Sequence, residues 1–223
     1  MHIRVIVTFA AAMLLLTACG GSALPEDVNE ESQATTNVSG SDRPAVGALP
    51  SGPSALDNMF STEFPESLID PGQIISGGPP PDGIPSIDNP VFLDVAANLE
   101  LLPGSEPVVV LEINGDARAY PIRAMVWHEI VNDVVGGVAV AVTYCPLCNS
   151  AVVYDRRVAG EATEFGTTGK LRNSDLVMYD RQTESWRQQF LGEAIVGSMT
   201  GKILKLLPAR IESFAKFRAR APQ

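Results

Sequence analysis

The sequence predicts an α+β fold, a β-rich, mostly antiparallel single domain with short helices, with barrel and sandwich both open. Three observations carry this. Apolar residues fall in strand-length runs, the connections between runs contain Gly, Asn or Asp, and few stretches sustain a helical period. With 223 residues, 45% of them hydrophobic, the chain is long enough to bury one sizeable core once its ends are set aside.

The chain opens like an export signal. Met1-His2-Ile3-Arg4 supplies a short positive segment, and Val5 to Leu16 is an almost unbroken apolar run, too short for a good membrane span. It closes in Leu16-Thr17-Ala18-Cys19, which resembles the lipobox of bacterial lipoproteins, where cleavage precedes the cysteine and acyl chains such as palmitate are attached to it. Residues 1–18 are thus expected to be a signal peptide and Cys19 the lipid anchor. The protein is then expected in the cell envelope, on the extracytoplasmic face of a membrane, each buried CH₂ of its acyl chains contributing about 0.8 kcal/mol to attachment. Residues 19–58 are rich in Gly, Ser, Ala, Pro, Asn, Thr and acids, and read as a flexible tether. The folded domain is expected over 59–223, with a Pro/Gly-rich lead-in at 59–90. A formal charge of −10 argues against binding nucleic acid.

Within the domain, a short helix is expected near 91–101. Val108 to Ile113 and Ala117 to Pro121 flank Asn114-Gly115, a strong hairpin signal. Further strands are expected at 127–135, 138–144, 151–156, 161–165, 176–180, 185–190 and 203–207. Ile211, Phe214, Ala215 and Phe217 stand at helical spacing among basic residues, which predicts a closing helix over 211–220 with a solvated basic face.

Several chemistries are excluded. "HEIVN" at His128 to Asn132 begins like the H-E-x-x-H zinc helix but has Asn132 in the fifth position. A haem-attachment C-x-x-C-H needs His where Asn149 stands. "GTTGKL", Gly166 to Leu171, lacks the spacing of a phosphate loop and reads as an ordinary loop, and no G-x-S-x-G elbow is present.

The remaining chemistry lies in "TYCPLCNS", with Cys145 and Cys148, and in His128, the sole histidine after the signal peptide. Strand-like residues on both sides set C-P-L-C in a turn, unlike the helix-opening pair of thioredoxin-like proteins. Alone it is half of the knuckle seen in rubredoxins and zinc ribbons, so a closed four-cysteine site is impossible. If Gly136-Gly137 is a two-residue turn, continuing its register places His128 opposite Cys145, with Cβ atoms about 4.5–5.5 Å apart. A helix over 122–127 would cut that hairpin short.

"DGIPSIDNP", "RAYPIRAMVWHEIVND", "VGGVAVAVTYCPLCNSAVVYDRRV" and "NSDLVMYDRQTESWRQQFLGEAIVG" together resemble the bacterial and archaeal domain of unknown function 3179 family over about 75–217. The resemblance implies no established reaction. Asn149, where family members often carry Gly, is a departure, as is the end at Gln223 before a Gly- and Tyr-containing tail.

Several functional readings stay open. A metal site would use Cys145, Cys148 and His128 with Asp133, Asp175 or Glu129 nearby, zinc or copper suiting such ligands. A thiol redox site would use the same Cys145, Cys148 and His128 as its catalytic residues, with an unknown redox partner. Alternatively, Cys145–Cys148 is a structural disulfide, as an extracytoplasmic location permits, or a pair of free thiols. In the non-enzymatic reading, a ligand-binding lipoprotein would line a cleft with Trp127, Trp186, Arg172 and Arg181. Asp175, Asp180 and Glu184 read as turn or rim residues rather than catalytic acids, since their spacing gives no sharp pair.

Overall fold

The structure, a computed structural model, describes residues 3–6, 54–64, 67–95 and 102–220, the first of these as backbone only. The domain is a stack of open sheets, and no barrel closes among the described residues. At its centre lies a sheet in which Ile130–Val135, Val138–Cys145, Ser150–Asp155 and Leu206–Leu207 run antiparallel to their neighbours. Alternate side chains leave this sheet in opposite directions. Val131, Val140, Val142, Tyr144 and Val153 pack on one side against Val109, Leu111 and Tyr120. Ile130, Ala141, Cys145, Val152 and Tyr154 pack on the other against Phe165, Leu176 and Met178. Double burial explains why "VAVAVTYC" is apolar at nearly every position rather than at every second one.

The first flanking sheet contains Ala209–Ser213, Pro107–Ile113, Asp116–Pro121, Ile3–Ile6 and Phe92–Asp94. Its outer face is covered by Phe214 and Phe217 of the helix Phe214–Arg220. The second contains Ala194–Val196, Trp186–Gln188, Asp175–Asp180, Phe165–Arg172 and Ile75–Ser76. Its outer face is covered by Met59, Phe64, Ile69 and Ile74 of the lead-in and also by Ala55 and Leu56, so the end of the stretch expected as tether packs on the domain.

The hairpin at Asn114-Gly115 is present, with Ile113 opposite Asp116. Gly136-Gly137 is likewise a two-residue turn, with Val135 opposite Val138 and both glycines at positive φ. Other expectations need correction. Ile122–His128 is a helix, so the strand expected from 127 begins only at Ile130. Buried Ala124 and Met125 explain this, since helical spacing lets both enter the core that a strand would present with one. Phe92–Asp94 is a strand rather than the start of a helix, and the rest of that expected helix, 96–101, lies outside the described residues. Ile211 belongs to an edge strand opposite Val109, and only Phe214–Arg220 is helical. "GTTGKL" lies within the strand Phe165–Arg172, which carries an irregularity between Thr167 and Lys170.

A Cβ on Gly136 would stand 2.2 Å from the Ile113 carbonyl oxygen, whereas one on Gly137 meets nothing within 4 Å. Gly136→Ala is therefore expected to lose about 2–4 kcal/mol through clash and left-handed backbone strain. Gly137→Asn, whose side chain tolerates that conformation, should lose much less. Urea unfolding of the two variants checks the order.

Candidate functional site

Two hairpin tips build the site. In the central sheet Cys145 is opposite Ser150, and Pro146-Leu147-Cys148-Asn149 forms the loop between them. Asn149 takes positive φ and accepts a hydrogen bond from the Tyr144 hydroxyl at 2.8 Å, which pins the end of the loop. In the neighbouring sheet Arg172 is opposite Asp175 across Asn173-Ser174, both at positive φ. The second tip meets the first at the cysteines: the Cys145 thiol donates to the Ser174 carbonyl at 3.6 Å.

The Sγ atoms of Cys145 and Cys148 and a carboxylate oxygen of Asp175 lie within 4.8 Å of one another. Both thiols are free; Cys145 is buried and Cys148 exposed. The Cys148 thiol donates to Asp175 Oδ1 at 3.6 Å, and Phe190 N–H donates to Asp175 Oδ2 at 3.0 Å. Burial pushes the Cys145 thiol up to about 11, and the neighbouring Cys148 thiol adds to the rise. Burial also raises Asp175, outweighing the Phe190 N–H, the Cys148 thiol and the Gln188 amide, which favour its charged form. Among the described residues Asp175 forms no ion pair.

Beneath Cys148 runs a directed hydrogen-bond chain. Thr143 donates to Val152 O at 2.7 Å and so accepts from Gln189 Nε2 at 2.8 Å. This orients the buried Gln189 amide with its oxygen toward the Ser150 hydroxyl, which donates at 3.1 Å. Ser150 has then used its proton, and its lone pairs face Cys148 Sγ at 3.0 Å. Sequence reasoning did not single out Gln189 or Ser150. A buried glutamine in "WRQQF" carries no local signal of a partner so far away in sequence, Thr143.

His128 does not join this cluster. The helix ends at His128, Glu129 caps it at φ 56, and the hairpin ladder begins at Ile130 opposite Thr143. His128 Nδ1–H donates to Pro85 O at 2.8 Å, which leaves Nε2 with the lone pair in the neutral ring. Asp133 accepts from the Tyr120 hydroxyl at 2.7 Å and from Arg118 at 2.6 Å, on the opposite face of the central sheet. Asp180 is fully buried, accepts from Thr183 and pairs with Arg187 at 3.6 Å. Trp186 lies in the core, Trp127 is 77% exposed, and Arg181 is tied to Asp82, Asp88 and Glu164. Cys19 lies outside the described residues.

The class defined here is a layered, open β-sheet domain with a dithiol–carboxylate cluster where two hairpin tips meet. The family model described as "Protein of unknown function (DUF3179)" matches residues 81–223, and the chain belongs to that family. No curated protein and no solved structure matches it.

Burial alone raises the Glu129 carboxyl from its ordinary 4.5 to about 7. The folded state therefore holds this proton more tightly than the unfolded chain. Its contribution is full below about pH 4.5 and is lost as pH rises through about 7. Glu129→Gln should raise the thermal midpoint at pH 8 relative to the native chain, and the gain should shrink toward pH 4. Equal shifts at both pH values would contradict the assignment.

Proposed function

We propose that this is a lipid-anchored protein of the extracytoplasmic face whose domain holds a thiophilic metal ion through Cys145, Cys148 and Asp175. The approach of these three donors from two hairpin tips to within 4.8 Å carries the reading. Zinc–sulfur bonds of about 2.3 Å and zinc–oxygen bonds of about 2.0–2.2 Å fit such a group after small side-chain rotations. Burial disfavours the anionic forms of Cys145 and Asp175, and a cation is the partner that would offset it. Three protein ligands leave a position open for water or substrate. Zinc suits the mixed sulfur and oxygen set, and copper the two sulfurs. His128 is assigned no ligand role in this reading.

The unequal exposure of the cysteines favours a second reading, thiol–disulfide exchange. Exposed Cys148 would attack an external disulfide and buried Cys145 would resolve the mixed disulfide. The external disulfide would leave as two thiols while Cys145–Cys148 forms.

The anchor rests on the positive start, the apolar run and Leu16-Thr17-Ala18-Cys19. Among the described residues no helix is long and apolar enough to cross a membrane. Cleavage before Cys19 would remove Ile3–Ile6, which lies between Phe92–Asp94 and Asp116–Pro121, and leave both strands without that neighbour.

Metal analysis of the purified full chain tests the site. The native protein should carry stoichiometric metal, and Cys145→Ser, Cys148→Ser and Asp175→Asn should each lose it while His128→Ala keeps it. Affinity should fall as pH drops, because protons compete for the ligands. A metal-free native protein with reversible Cys145–Cys148 oxidation would instead support exchange. For the anchor, Cys19→Ser should leave the membrane fraction or remain unprocessed. Unlipidated native protein in the cytoplasm would contradict the location.

A further inference from the structure

We propose that Arg172 is an anion-binding subsite beside the cysteines and that the site receives a small substrate carrying a carboxylate. The inference rests on Cys148 being the accessible member of the functional cluster, and it goes further by naming the charge and placement of what reaches it.

Arg172 stands directly opposite Asp175 at the base of the hairpin tip that meets the cysteine loop. Cross-strand neighbours share a face, so its stem rises beside the cluster. Its guanidinium turns to neutral amides. Nε and one terminal nitrogen donate to Gln73 Oε1 at 3.1 and 3.0 Å, and the other terminal nitrogen donates to Gln188 Oε1 at 2.5 Å. The Gln188 side chain also favours the charged form of Asp175, so polar groups run from Arg172 past Gln188 and Asp175 to Cys148.

A guanidinium has five N–H donors and stays charged at any working pH. The three hydrogen bonds on Arg172 leave one donor on each terminal nitrogen without a partner among the described residues. Two such donors match the paired oxygens of a carboxylate.

Most of the described arginines in this acidic chain are treated differently. Arg118, Arg123, Arg157, Arg181, Arg187, Arg210 and Arg220 each have an acid within 4.0 Å. Arg172, like Arg156 and Arg218, has none among the described residues; Arg156 donates to the Asp133 and Thr163 backbone carbonyls and Arg218 lies over the Phe214 ring, so neither stands beside the cysteines. The Arg172 charge is positioned by Gln73 and Gln188 without being neutralised, as a receptor for an incoming anion requires. Leu147 and Phe190, 66% and 59% exposed, flank the cluster in sequence and offer apolar contact to the substrate's body.

Iodoacetate and iodoacetamide alkylate a thiol by the same displacement and differ in carrying a carboxylate or a neutral amide. Their rates at Cys148 can be read by peptide-resolved mass spectrometry on the full chain, freed of metal with a chelator. The iodoacetate-to-iodoacetamide rate ratio in the native chain should fall roughly fivefold in Arg172→Met, near the upper end for a partly exposed ion pair. Arg172→Lys, which keeps the charge and loses the planar fork, should fall between. Added salt should lower the native ratio and leave that of Arg172→Met nearly unchanged. An unchanged ratio in Arg172→Met overturns the proposal, as does a Cys148 that reacts with neither reagent. Because the protein is metal-free, the proposal can fail while metal binding stands, and metal binding can fail while the charge preference stands.

Discussion

The central sheet is buried on both faces, and the rest of the structure depends on that constraint. Val131, Val140 and Val142 look toward one neighbour sheet, and Ile130, Ala141 and Val152 toward the other. Polar groups inside such a layer must find partners within the protein. Asn132 does so by exchanging hydrogen bonds with the backbone of Phe165, which ties the central sheet to its neighbour. The C-P-L-C loop emerges toward solvent at the end of two of these strands.

At that end the structure combines depth and access. Cys145 still belongs to the core, whereas Cys148, three residues on, is exposed. The Gln189 amide, fixed by Thr143, uses the Ser150 proton and turns the Ser150 lone pairs to the outer sulfur. Cys148 therefore faces Ser150 Oγ, Asp175 Oδ1 and Cys145 O, all acting as acceptors. These oxygen lone pairs gathered around one sulfur suit a cation, which links the hydrogen-bond directions to the metal reading.

Much of the fold was legible because its signals were local. Asn114-Gly115 and Gly136-Gly137 set their hairpins through backbone chemistry that only such residues tolerate easily. The cysteine loop could be placed between strands for the same reason. What failed depended on packing. The helix Ile122–His128 exists because Ala124 and Met125 fill the space beside Tyr120 and Val142, and that helix withdraws His128 from the register that counting assigned to it. "GTTGKL" looked like a loop because of its glycines. In the folded protein a Cβ at Gly169 would stand 1.8 Å from Pro79 O, so glycine serves a close backbone approach inside a strand. Asp175 could be named as a neighbour of the site, but its place came from a second hairpin whose tip meets the first, a contact with no trace in local sequence.

X-ray absorption of the metal-loaded full chain tests the central claim most directly, because it reads the donor atoms themselves. For zinc the account predicts a first shell with two sulfur scatterers at about 2.3 Å and oxygen at about 2.0–2.2 Å, without the outer-shell signature of imidazole. A shell lacking sulfur, or one containing a histidine ring, would contradict it.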